Sequence, residues 1–123
     1  MTVENRIAAV VQKYLDGVAR DDGELVCSAF HSGAVMTGHF NGEYLVVPNA
    51  GQFIADFMDN SPPISESSPN LTSSIDSIEV AGTMARVAVS ENGLEGADFT
   101  TYFNLHEVDG EWCIATKATY AHA

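Results

Sequence analysis

Positive charge is scarce in this sequence: five lysines and arginines face seventeen aspartates and glutamates, a formal net charge of −12. Nucleic acids and anionic membranes are held by clustered cations that neutralise phosphates, and no such cluster occurs, so neither partner is expected. The acidic balance serves solubility before it serves function. Cysteine is nearly missing. Cys27 and Cys113 form neither a disulfide framework nor a metal signature and read as small buried hydrophobes. Long apolar runs are missing too. No stretch approaches the ~20 residues that cross a bilayer, and Thr2-Val3-Glu4-Asn5-Arg6 opens the chain with polar residues unlike a signal peptide, which makes the cytoplasm the expected compartment. There is no nucleophile elbow, phosphate-binding glycine loop or dinucleotide fingerprint. His31, His39, His106 and His122 share no metal-ligand spacing, so neither a metal nor a cofactor is expected.

What is present is a chain of 123 residues, long enough for one domain with its own core, expected to span residues 1–123. Ile7, Val10, Val11, Tyr14, Leu15 and Val18 recur at helical spacing behind a Thr2 cap, with Glu4 in the first turn. Asp21-Asp22-Gly23 interrupts that pattern, and Asp22 can cap a short second helix burying Leu25, Val26, Ala29 and Phe30. Strands are expected over residues 34–40 and 43–47, joined by Asn41-Gly42, whose two residues tolerate positive φ. A third helix follows Pro48-Asn49, with Phe53, Ile54, Phe57 and Met58 on one face. Residues 60–70 read as a loop rich in Ser and Pro, long enough for a lid or an interface arm. From there residues 71–80, 84–91, 97–108 and 111–120 alternate as four antiparallel strands. Helices first and a meander last give an α+β fold, with the helices on one sheet face.

Side-chain parity sorts each strand into two faces. Ala85, Val87 and Val89 should face the helices, as should Thr101, Phe103 and Leu105. On the last strand strict alternation turns Trp112, Ile114, Thr116, Ala118 and Tyr120 inward, and Cys113, Ala115, Lys117 and Thr119 outward. The outer faces carry Tyr102, Ala88, Ala115 and Cys113 and are mild enough to pack against another subunit, so a homodimer through the outer sheet face is expected.

This order of elements, ending in Asp109-Gly110-Glu111-Trp112-Cys113-Ile114, resembles the nuclear-transport-factor-2-like superfamily, in particular its small lumazine-binding-type and SnoaL-like bacterial members. The resemblance covers essentially the whole chain and is carried by Tyr14-Leu15-Asp16-Gly17, Ala29-Phe30-His31, Gly82-Thr83-Met84-Ala85-Arg86-Val87 and the run from Phe103 through Lys117. It implies a cystatin-like cone: a curved antiparallel sheet of about six strands wrapped around three helices, with an open pocket and often a dimer through the outer face. Steroid isomerases, dehydratases and polyketide cyclases share that fold, so fold alone names no reaction. The helix-1 segment Ala9-Val10-Val11-Gln12-Lys13-Tyr14 is similar to that of the steroid isomerases, whose oxyanion-hole tyrosine falls on Tyr14. Their carboxylate base falls at about Gly38 and their second acid at about Thr101. Glycine has no side chain and threonine is no substitute for a protonated carboxyl, so the isomerase parallel stops at one residue of three.

The remaining inventory is aromatic and sulfur-bearing. Tyr14, Phe30, Met36, Tyr44, Phe53 and Phe57, with Met58, Phe103, Trp112 and Tyr120, are the candidate ligand-binding residues. Thr101 joins Tyr14 as an inner polar contact. Apolar linings with few polar groups suit small-molecule sites, so the expected partner is a small, flat, apolar or aromatic molecule. Two further readings stand beside it. One is a proton-transfer enzyme on a small cyclic substrate, of isomerase, dehydratase or cyclase type, with Asp98 or His39 as the catalytic candidate. The other is a dimeric structural or partner-binding module whose pocket is filled by side chains.

Overall fold

The computed structural model describes residues 1–122. Helix α1 (Val3–Ala19) begins where Thr2 supplies a cap: the Thr2 hydroxyl accepts from Asn5 N–H at 3.1 Å. Its apolar stripe buries Ile7, Val11, Tyr14, Leu15 and Val18. Asp22 caps α2 (Gly23–Ser28) in the same way through Leu25 N–H. Helices α1 and α2 touch at Gly17, where any Cβ would lie 2.6 Å from Val26 Cγ2, so the close approach depends on glycine. Helix α3 (Ala50–Asp59) follows, and residues 60–70 contain a one-turn helix, α4 (Ile64–Ser67), making four helices where three were expected. Asp21 holds α4 by accepting from Ile64 N–H and from the Ser65 hydroxyl, the latter at 2.7 Å. The Ser65 bond and the backbone donors hold the Asp21 carboxyl below its ordinary pKa. The segment is therefore an anchored turn carrying two buried residues, Ile64 and Ser68.

The six strands are β1 (Phe30–Phe40), β2 (Glu43–Pro48), β3 (Thr72–Ala81), β4 (Met84–Leu94), β5 (Ala97–Val108) and β6 (Glu111–His122). They form one curved, unclosed sheet in the order β2-β1-β6-β5-β4-β3. Four of its five neighbouring pairs are antiparallel, as expected, and β1 runs parallel to β6. That parallel contact joins the first hairpin to the meander across the middle of the sheet. Asn41-Gly42, Glu95-Gly96 and Asp109-Gly110 all take positive φ at both positions, the conformation of tight two-residue hairpins.

Two irregularities decide which side chains reach the concave face. On β6, Leu105 pairs with Ile114 but Asn104 pairs with Thr116, so Ala115 is an extra, unpaired residue. Such a bulge reverses the parity of everything beyond it. Trp112 and Ile114 are buried as expected, but after Ala115 it is Lys117 that is buried, while Thr116, Ala118 and Tyr120 are exposed. The expectation that Lys117 and Thr119 face outward is thus overturned by one residue. On β4 the strand runs past Glu91 to Leu94, through a second bulge at Asn92-Gly93 where Gly93 has φ +76° and its N–H donates to Asp98 Oδ1 at 3.0 Å.

The core is a single cluster. Val87, Val89, Phe103, Leu105 and Ile114 from the sheet pack with Ile7 and Val11 from α1 and Val26 from α2, all fully buried. Each such side chain contributes about 1.5–3 kcal/mol of burial.

Candidate functional site

Beyond the packed core, the concave face opens into a cavity of about 540 Å³. Its floor comes from the sheet: Met36 on β1, Glu91 on β4, and Lys117 and Thr119 on β6. Tyr14 and Val18 of α1 close one side, and Phe53, Ile54, Phe57 and Met58 of α3 another. Phe53 and Phe57 also face solvent, at 47 % and 53 % exposure, which puts the mouth beside α3. Ile64 of α4 and Phe99 of β5 complete the apolar wall.

Within this apolar setting the polar groups are few and short of partners. Glu91 is 2 % exposed and Lys117 is 8 % exposed. Strand register explains their separation. Lys117 pairs with Phe103, which pairs in turn with Val87, whereas Glu91 lies four residues further along β4 and pairs with Phe99. Thr101 and Thr119 are paired between them, their hydroxyls 2.9 Å apart. No ion pair closes between Glu91 and Lys117. Among the described residues the salt bridges are Arg6–Glu107 at 3.6 Å and Arg86–Glu79 at 3.3 Å, neither of them in the cavity. Among the described residues the Lys117 Nζ donates only to Met36 Sδ, at 3.9 Å, and it stands 5.2 Å from the centre of the Tyr14 ring. Among the described residues two buried side-chain polar atoms lack a hydrogen-bond partner, Glu91 Oε2 and Trp112 Nε1. Of those two residues, only Glu91 lines the cavity.

The electrostatics follow from burial. Loss of water pushes the Glu91 carboxyl above its usual range, and the nearby Lys117 charge pulls it partly back. Burial lowers Lys117, and Glu91 opposes that shift. The Tyr14 phenol is pushed well up, first by burial and then by the Glu91 charge, so it stays a hydrogen-bond donor at neutral pH. The lining therefore offers a carboxyl, an amine and a phenol with few partners of their own, as sites built to hold a ligand or move a proton do.

The candidate residues named from the sequence divide into three groups. Tyr14, Met36, Phe53, Phe57 and Met58 come together around the cavity, with His39 at its rim beside Tyr44, the two rings 5.3 Å apart. Phe30, Thr101, Phe103 and Trp112 are buried in the core and do not line it, although Phe30 and Phe103 pack edge-on to Tyr14 at 5.8 and 5.2 Å. Tyr44 and Tyr120 are exposed, 58 % and 60 %, with Tyr120 turned outward by the Ala115 bulge. Asp98 is on the surface, occupied by the Gly93 turn. Sequence reasoning did not single out Glu91 for the site. Glu91 has the parity of Val87 and Val89, so a charge at an inward position was its signal.

An unclosed six-stranded sheet folded over helices around an apolar cavity defines the nuclear-transport-factor-2-like, cystatin-like class of α+β proteins. The family model described as "Putative lumazine-binding" matches residues 2–120, and the chain belongs to that family. Among solved structures, a nuclear-transport-factor-2-like protein of unknown function from Shewanella baltica OS155 is 28 % identical with TM-score 0.86, the match covering 100 % of this chain and 98 % of that one. One from Methylobacillus flagellatus KT is 26 % identical with TM-score 0.83, covering 100 % and 96 %. A ketosteroid isomerase-like protein from Erwinia carotovora atroseptica SCRI1043, 18 % identical with TM-score 0.73 over 97 % and 95 %, is a likeness of fold. Among curated proteins there is no match. No helix among the described residues is long and apolar enough to cross a membrane.

Proposed function

We propose that this protein binds a small, flat, largely apolar molecule in the cavity between α1, α3 and the concave sheet face. The observation that carries the reading is a roomy apolar cavity whose floor holds a buried carboxylate oxygen with no partner. Largely apolar clefts that carry a few convergent polar groups are the usual form of small-molecule sites, and buried polar atoms are ordinarily satisfied. Phe53, Phe57, Met36 and Met58 are the walls in this reading, and Tyr14 donates to the occupant. Native mass spectrometry of the freshly purified protein tests it. A mass excess of a few hundred daltons, released on denaturation and absent from an Ala121→Trp variant, is the expected result; Ala121 lines the cavity yet is exposed, so the indole blocks the space without disturbing the core. Failure of every small-molecule probe to bind would overturn it.

Proton transfer on a small cyclic substrate is a second reading, favoured by the raised Glu91 carboxyl beside Lys117. The base would then be Glu91, because Asp98 is held by its turn and His39 stands exposed at the rim. Deuterium incorporation from solvent into a bicyclic ketone, abolished by Glu91→Gln, would establish it. Pairing of two copies through the outer sheet face is proposed on the exposed Met84, Tyr102 and Tyr120. A Tyr102→Asp change should then yield a monomer by light scattering.

A further inference from the structure

The sequence holds two lysines, and the fold puts them in opposite settings. Lys13 on α1 is exposed, whereas Lys117 on β6 is buried and lines the cavity. An exposed lysine is a solvated ammonium at neutral pH, and an ammonium is no nucleophile. A lysine kept from water holds its proton less firmly, and the free amine attacks carbonyl carbon.

The surroundings of Lys117 favour the free amine. A lysine buried for stability alone is ordinarily paired with a carboxylate, yet among the described residues both salt bridges lie elsewhere. Its Nζ neighbours Met36 Sδ at 3.9 Å and the Tyr14 ring at 5.2 Å. A thioether and an aromatic face replace the water around an ammonium only in part. Glu91 acts on Lys117 from beyond the Thr101–Thr119 pair, and its charge only partly offsets the effect of burial. Met36 and Tyr14 both border the cavity, so the nitrogen stands among the side chains that face the open space.

We propose that Lys117 is a nucleophilic amine that captures small apolar aldehydes and ketones in the cavity as a reversible imine. The nitrogen adds to the carbonyl carbon, and the carbonyl π pair moves to oxygen. Two protons pass from the nitrogen to that oxygen, which leaves as water while the C=N bond forms. No oxidant or reductant is consumed. Phe53, Phe57 and Met58 offer an apolar wall to the body of the carbonyl compound. The inference rests on the small-molecule reading above and goes beyond it by giving the occupant a reactive group and the protein a covalent chemistry.

Incubation with 2-naphthaldehyde and sodium cyanoborohydride at about pH 7, where ordinary lysines are protonated, followed by peptide mapping, tests it. The reductant converts an imine to a stable secondary amine, so the label stays where it formed. Lys13 is the internal standard, and the Met1 α-amine is followed in a separate peptide. Lys117 should be labelled about tenfold or more faster than Lys13 in the folded protein, and at about the same rate in guanidinium chloride. Ala121→Trp, which blocks the cavity, should remove the excess at Lys117 and leave the labelling of Lys13 unchanged. If Lys117 is labelled no faster than Lys13 while naphthalene still binds by ligand-observed NMR, and does so only without the Ala121→Trp block, the inference fails and the small-molecule reading stands. If the excess at Lys117 survives Ala121→Trp, capture does not take place in the cavity and the inference fails. If Lys117 gains no label and naphthalene does not bind, the inference and the small-molecule reading fail together.

Discussion

Val87, Phe103, Leu105 and Ile114 on the concave face of the sheet are fully buried in one cluster with Ile7 and Val11, whereas Glu91 and Thr119, on that same face further along, border an open cavity. Lys117 stands at the boundary, its strand partner Phe103 in the packed region and its side chain in the cavity. The packed region is almost wholly apolar, with Trp112 Nε1 its one buried side-chain polar atom without a partner among the described residues. The open region retains a carboxyl and an ammonium away from water without joining them. The contrast teaches that the two regions serve different ends: the first supplies stability, and the second gives up some of it to keep groups available.

Changes in each region should therefore move stability in opposite directions. Phe103→Ala, in the packed region, should lower unfolding stability by about 3–5 kcal/mol, read as a lower urea midpoint. Glu91→Leu/Lys117→Met, in the open region, should raise it by about 1–3 kcal/mol, because apolar side chains avoid the cost of drying two charges. Loss of stability in that double variant would break the comparison.

A pH series sharpens it. Burial raises the Glu91 pKa above the ordinary 4.5, so the folded state holds that proton more tightly than the unfolded one. The resulting stability is present below 4.5 and is lost as pH rises through the folded value. Lys117 is shifted downward, so its contribution is present above 10.5 and lost as pH falls through its folded value. The urea midpoint of wild type minus that of Glu91→Gln should accordingly decline as pH rises above 4.5. A flat difference would mean that Glu91 is better solvated than its burial implies.

The smallest effect belongs to the wall. Asp21→Ala removes the acceptor for Ile64 N–H and the Ser65 hydroxyl. A loss of about 1 kcal/mol, with faster amide exchange at Ile64 and Ser65 and little change at Phe103, would separate α4 from the packed region.

Much of this arrangement can be read from the residues. The Thr2 and Asp22 caps, the Asn41-Gly42 and Asp109-Gly110 turns, and the inward parity of Val87, Val89, Thr101, Phe103 and Leu105 all follow from local chemistry and strand period. Glu91 was within reach, since the alternation that buries Val87 and Val89 continues to it; reading Asn92-Gly93 as the end of the strand hid it. Lys117 was not. Its orientation depends on the unpaired Ala115, a residue with no glycine, proline or positive φ to mark it. The cavity was also only half legible. Aromatic side chains at inward positions fill space as readily as they border it, and only the packing of α1 and α3 assigns Phe103 and Trp112 to the core, and Phe53 and Phe57 to the mouth.

Ala115 works as a frame-setting residue. Everything N-terminal to it on β6 is read in one phase against the core, and everything C-terminal to it in the other. Pairing Ala115 into the ladder, with the strand's sequence unchanged, would exchange Lys117 and Thr119 for Thr116 and Ala118 in the lining and leave the Trp112–Ile114 packing in phase. A fold built this way sets its binding surface by which residue of a strand is left out of the ladder as much as by the letters of the strand.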